Sequence, residues 1–167
     1  MSPYLEKVKM TSKINKQADA AYLPICIDIK GKECLVVGGG NVALRKITVL
    51  RKFGAAVTCM SPFFVKQLER LADLEKIKCI KRVYPLTLSL KKYALVIAAT
   101  DDSDVNKQVV RDAVRDKILV NVVDKSAPGN VIMPAILKRK GFTISVSTGG
   151  RSPSQAKKIR DTLNHAL

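Results

Sequence analysis

The chain has 167 residues, 47% hydrophobic and 26% charged, which suits one domain of ordinary size with a buried core. No apolar run approaches a membrane span of about 18 residues, so the chain is read as cytoplasmic with no membrane partner. Thirty basic against 14 acidic side chains give a formal charge of +16, a field that favours nucleic acid, an anionic surface or a polyanionic small molecule over neutral or basic partners.

In chain order, residues 1–21 mix lysines with polar groups, lack the central apolar stretch of a secretory signal, and read as a mobile leader. Tyr22 to Ile29 is a short apolar stretch fit for an edge strand or a cover. Glu33 to Val37 is a compact apolar run of the kind buried on both faces of a parallel sheet. From Val42 to Phe53 the period becomes helical, with Ala43, Ile47 and Leu50 on one stripe and Gly54 as the stop. Ala55 to Met60 reads as a second strand, and Ser61-Pro62 as N-cap and first residue of a helix bearing Phe64, Leu68 and Leu71. Ile77 to Arg82, Ala94 to Ala99 and Ile118 to Val123 give three more strands, the helix before the last of them starting at Thr100-Asp101-Asp102. This alternation predicts an α/β fold with a doubly wound parallel sheet of Rossmann type over residues 22–123.

The pattern then breaks. Val131 to Leu137 and Phe142 to Ser147 form a predicted hairpin around Lys138-Arg139-Lys140-Gly141. Ser152-Pro153-Ser154-Gln155 opens a last helix with a capping-box pattern, so residues 124–167 read as a small hairpin-plus-helix unit. From Lys125 to Arg160 there is no acidic residue against eight basic ones, so the excess charge is concentrated here. The four cysteines, Cys26, Cys34, Cys59 and Cys79, sit apart among apolar neighbours and read as buried reduced thiols. With one histidine, His165, near the terminus, no metal site is expected.

Three motifs point to chemistry. Gly38, Gly40 and Ala43 form G-x-G-x-x-A between a buried strand and an amphipathic helix. There a pyrophosphate approaches bare backbone, and the helix N-terminus at Asn41 and Val42 offers N–H groups to the anion. The acid that normally holds the adenine ribose about twenty positions on is missing; Ser61 stands there, and NAD against NADP is left open by the residues. Thr100 and Asp101 lie at the carboxyl end of a strand, where they fit cofactor contact and plain helix capping equally. Asp124 ends the next strand as either a catalytic carboxylate or an ordinary turn aspartate.

These blocks taken together resemble the NAD-dependent precorrin-2 dehydrogenase family, including the amino-terminal module of siroheme synthase, from about Tyr22 to Leu163. The matching segments are Tyr22-Leu23-Pro24, Val36 to Ala43 with Arg45-Lys46, Ile97 to Asp102 with Asn106, Asn121 to Asp124, Ile132 to Ile136 and Ser147 to Pro153. The resemblance implies oxidation of precorrin-2 to sirohydrochlorin with NAD as cofactor, Asp124 as the essential acid, and a homodimer built through the second unit. It also implies that a polycarboxylate tetrapyrrole meets Lys138, Arg139, Lys140, Thr148, Gly149 and Arg151. Many members continue into a longer helical region, so one helix here implies a more open substrate site or one completed by another chain. Some members also insert iron, which these residues leave open. Two other readings compete: a dinucleotide-sensing regulatory domain without catalysis, and a basic nucleic-acid binder. The second is weakened by 5% aromatics, no tryptophan and no legible recognition module.

Overall fold

The computed structural model describes residues 21–124 and 128–166. The expected leader, apart from Ala21, and Lys125 lie outside the described residues. The described chain divides into two compact units. One is Pro24–Met133; the other runs from Pro134 onward together with residues 21–23.

The first unit is built on five parallel strands in the order β3-β2-β1-β4-β5: β1 Glu33–Val37, β2 Ala56–Ser61, β3 Lys78–Lys81, β4 Leu95–Ala98 and β5 Leu119–Val122. The chain starts in the middle of the sheet, runs outward through β2 and β3, then returns to the other side of β1 for β4 and β5. That order leaves a crevice at the carboxyl ends of β1 and β4, where the direction of winding reverses. Val36 and Val37 are buried with Cys34 and Leu35, which explains why β1 reads as a continuous apolar run rather than an alternating one.

Helices cover both faces. On one, α1 (Asn41–Lys52) sets Ala43, Ile47 and Leu50 against Cys34, Val36, Cys59 and Ile97, and α2 (Lys66–Asp73) adds Leu68. On the other, α3 (Ser103–Arg115) packs Val109 and Ala113 on Leu35, Val37, Val96 and Val120. The connection from β3 to β4 contains no helix. Leu90 and Tyr93 bury it apolarly, and Asp112 of α3 fixes it: this carboxylate accepts from Tyr84 Oη at 2.8 Å and Leu88 N at 3.1 Å, and pairs with Arg115 at 2.8 Å. Asp116 accepts from Leu90 N at 2.6 Å. An irregular segment thus stays buried because side chains satisfy its backbone.

The second unit is a hairpin of β6 (Ala135–Lys138) and β7 (Thr143–Val146), antiparallel, with α4 (Pro153–Ala166) packed on both strands. Ser152 Oγ accepts from Gln155 N at 3.3 Å and Pro153 opens the helix, as the capping pattern predicts.

Five expectations are corrected. Of the edge strand or cover expected over Tyr22 to Ile29, no strand forms, and most of the segment is exposed. Cys26 is exposed rather than buried, whereas Cys34 and Cys59 are buried and Cys79 is half-buried. Ser61 does not cap a helix. It is the last residue of β2, and α2 begins at Lys66 behind Val65, because Val65, extended, donates its N–H to Gly39 O at 2.9 Å. The first hairpin strand begins at Ala135 rather than Val131. Val131 N is already committed to Val120 O at 3.1 Å, and Asn121 Nδ2 reaches Val131 O at 2.9 Å, so residues 130–131 run along the outer edge of β5. The second hairpin strand is shorter than expected at both ends.

Candidate functional site

The turn from β1 to α1 is built so that backbone is left bare. Gly38 sits at φ +124°, and a Cβ there would collide with the carbonyl of Ala99 at the end of β4. A Cβ on Gly39 would strike the carbonyl of Phe63, so this glycine lets the β2–α2 loop close against the turn. The motif reading passed over this middle residue, though its triple-glycine context was the available signal. At Gly40 a Cβ would meet nothing within 4 Å. Gly40 is the N-cap of α1, with no side-chain cap and no acid in the first turn, so the first N–H groups of Asn41 and Val42 face outward uncompensated. The third small residue, Ala43, is fully buried where α1 crosses the sheet.

A cleft of about 750 Å³ opens over this turn. Gly38, Gly39 and Gly40 form its floor. Ser61 to Val65 with Val83 and Tyr84 form one wall, and Thr100, Asp101 and Asp102 the other. Phe63 is 78% exposed and Val83 67%, an apolar pair at the mouth suited to the flat face of a base. Burial and the neighbouring Asp112 push the Tyr84 hydroxyl well above its ordinary pKa, so it stays a protonated donor. Cys59 lies beneath the turn and donates to Gly38 O at 3.2 Å; burial, then the adjacent Cys79, raises its pKa to about 12, which makes it a structural thiol. A site with an anion-ready helix start, an absent Cβ and an apolar slot fits a dinucleotide.

Asp102 caps α3, accepting from Asp104 N and Val105 N, and lines the cleft together with Thr100 and Asp101. Thr100 belongs to a further arrangement. Asn106, on the first turn of α3 and 0% exposed, gives its amide nitrogen to Thr100 O at 2.9 Å and to Asp124 Oδ2 at 2.6 Å. Its amide oxygen accepts from Thr100 Oγ1 at 2.8 Å and Thr100 N at 3.3 Å. Asp124, just beyond β5, is thereby tied to a residue of the cleft wall. Asn106 was noted in the sequence only as part of a matching block, with no role.

The remaining predicted residues lie in the second unit. Lys138, Arg139 and Lys140 are exposed at the hairpin turn, with Arg139 Nη2 donating to Asn164 O at 3.2 Å. Thr148, Gly149 and Arg151 form the turn before α4, closed by Arg151 N and Nε to Thr148 O and by Ser152 N to Thr148 Oγ1 at 3.0 Å. Among the described residues no group of three or more His, Cys, Asp or Glu could hold a metal ion, and no helix is long and apolar enough to cross a membrane.

A parallel 3-2-1-4-5 sheet with this turn at its switch point defines a dinucleotide-binding domain. The chain belongs to the family described as "Putative NAD(P)-binding", whose model matches residues 25–135. It is 44% identical over 142 residues to the siroheme synthase of Nitrosococcus oceani, covering 85% of this chain and 30% of that protein. It is 41% identical over 146 residues to the siroheme synthase of Saccharophagus degradans, covering 87% and 32%. Among solved structures, "SirC, precorrin-2 dehydrogenase" superposes with a TM-score of 0.71 at 29% identity, covering 87% of this chain and 71% of that one. The chain therefore spans about a third of the length of the curated relatives it matches.

Proposed function

We propose that the chain catalyses the dehydrogenation of precorrin-2 to sirohydrochlorin with NAD as hydride acceptor. The observation that carries the reading is the carboxylate of Asp124, held at 2.6 Å by a buried amide that also bonds the wall of the dinucleotide cleft. The names of the structural neighbour and of the curated relatives support the substrate, and family membership supports the cofactor.

The start of α1 holds the pyrophosphate by its N–H groups, with Gly38 and Gly40 keeping side chains out of the way. Ser61 is the ribose contact, and Thr100 and Asp101 flank the path toward Asp124. Bound NAD supplies the two-electron acceptor. Dehydrogenation removes one hydride and one proton from the substrate, and Asp124 takes the proton and passes it to water. Asn106, donating to Oδ2, fixes the orientation of that carboxylate.

Lys138, Arg139, Lys140, Thr148, Gly149 and Arg151 are the proposed contacts to the carboxylates of the substrate. Each guanidinium keeps donors beyond the carbonyl it already serves. Residues 22–123 act as the NAD-binding part and 124–167 as the dimerisation and substrate part. Support for a homodimer comes from the hairpin and α4, whose only buried apolar residues among those described are Leu137 and Ala156; a hairpin covered on so little area is marginal alone. A cytoplasmic site of action belongs to the same proposal.

An anaerobic assay tests it. The protein should reduce NAD in proportion to precorrin-2 supplied, and Asp124→Asn should slow turnover by about a hundredfold or more. Wild-type turnover in Asp124→Asn would remove the catalytic role of this acid. NADH binding with no precorrin-2 oxidation by the unmodified protein would favour a sensing domain.

A further inference from the structure

Thr100 lines the dinucleotide cleft, yet its hydroxyl is engaged within the protein: Oγ1 lies 2.8 Å from Asn106 Oδ1 and 2.9 Å from Asp102 O. A hydroxyl has one proton and both of these neighbours are acceptors, so no proton is left to donate to a bound dinucleotide. Asn106, 0% exposed, is used to the full. Its amide oxygen accepts from Thr100 Oγ1 at 2.8 Å and Thr100 N at 3.3 Å, and its amide nitrogen donates to Thr100 O at 2.9 Å and Asp124 Oδ2 at 2.6 Å. Reversing the amide would set donor against the Thr100 N–H and oxygen against both a carbonyl and a carboxylate. Among the described residues, every side-chain hydrogen bond of Asn106 other than that to Asp124 is made to Thr100.

We propose that Thr100 is a positioning residue for Asp124, its hydroxyl acting through the Asn106 amide, and that this, rather than a bond to the cofactor, is the hydroxyl's use in the reaction. The proposal rests on the reading of Asp124 as the proton acceptor. The hydroxyl makes the shorter of the two bonds to Asn106 Oδ1. In Thr100→Val, of nearly the same shape, a methyl carbon stands in its place, and carbon keeps about 3.3 Å or more from oxygen. The amide oxygen then retreats by about half an ångström and keeps only the longer bond from Thr100 N. The amide is rigid and planar, so its nitrogen moves too, and the 2.6 Å contact that seats Asp124 is disturbed. Misplacing a reacting group on that scale costs about tenfold in turnover. Thr100→Ser keeps the hydroxyl and with it the seat.

Anaerobic steady-state oxidation of precorrin-2 by the full chain, beside NADH dissociation constants from nicotinamide fluorescence, tests the proposal. Thr100→Val should lower kcat about tenfold while the NADH constant stays within about twofold of the unmodified protein. Thr100→Ser should recover most of the lost kcat. Thr100→Ala, which removes the hydroxyl without setting carbon against the amide, should lower kcat in the same direction, and circular dichroism of each variant reads whether the fold is kept. Asn106→Ala removes the intermediary, so adding Thr100→Val to it should lower kcat by no more than about a further twofold. Unchanged kcat in both Thr100→Val and Thr100→Ala overturns the proposal, as does a loss of NADH affinity that accounts for the whole effect. A full further tenfold loss on top of Asn106→Ala overturns it equally, and so does a serine variant as slow as the valine one. If Asp124→Asn turns over like the unmodified protein, the reading of that acid falls first and takes the proposal with it; if Asp124→Asn is slow and Thr100→Val is not, the proposal alone falls.

Discussion

Asn106 offers a test in which stability and pH read the same contact. Replacing it by alanine removes the donor to Asp124 Oδ2 at 2.6 Å and both bonds that pair the backbone of Thr100. A buried polar group left unpaired costs about 1–3 kcal/mol, and Thr100 and Asp124 are both half-exposed, so the expected loss is about 2–4 kcal/mol. Asn106→Asp keeps the size and the acceptor facing Thr100 but sets an oxygen where the amide nitrogen donated. Two full charges about 3 Å apart would repel by about 5 kcal/mol at an effective dielectric of 20, and solvent at Asp124 screens that to about half. The pair escapes by keeping a proton, which raises the folded-state pKa of the shared carboxyl above its unfolded value. Such a group contributes stability that is fully present below the unfolded pKa and is lost as pH rises through the raised one. Urea denaturation followed by circular dichroism should therefore show Asn106→Asp less stable than Asn106→Ala at pH 7, with the gap closing toward pH 4. Parallel curves for the two variants at every pH would mean that the amide does not face the carboxylate.

Three further outcomes follow from the geometry. Gly39→Ala should weaken NADH binding at least about tenfold with the sheet retained, because its Cβ displaces the Phe63 carbonyl and opens the β2–α2 loop; fluorescence titration beside far-ultraviolet circular dichroism reads both. Asp112→Ala should cost about 2–4 kcal/mol by urea denaturation, since a carboxylate 2% exposed leaves Tyr84 Oη and Leu88 N without their acceptor, while Arg115 keeps Asp116, Thr87 and Leu88 O. Asp116 has its pKa lowered to about 2 by the Arg115 guanidinium and then by the Leu90 amide. A depressed folded-state pKa gives stability that is present above the unfolded carboxylate value and lost as pH falls through the folded one. Asp116→Asn should therefore flatten the decline in stability between about pH 4 and pH 2, measured by thermal melts across that range.

What the sequence made legible and what it hid divide along a physical line. β1, α1 and the glycine turn were read almost to the residue because each is specified locally: a continuous apolar run, a 3.6-residue stripe, and small residues where backbone must come close. Ser61 was misread as a cap because Ser-Pro is a helix-start pattern, and its real surroundings depend on Gly39 accepting from Val65, a contact with a residue far back in the chain. The β3–β4 connection has no local signal in the sequence, since the carboxylates that fix it, Asp112 of α3 and Asp116 at its C-cap, come 24 to 28 residues later. Asp124 could be nominated from its place at a strand end, but the amide that holds it could not. Asn106 lies on a different element, 18 residues earlier, and an asparagine on the first turn of a helix ordinarily signals nothing more than a capping preference. The cleft floor was thus readable from neighbours in sequence, whereas the support of the acid was readable only once α3 and β5 had been brought side by side. That is where substitutions chosen from motifs alone would miss the chemistry.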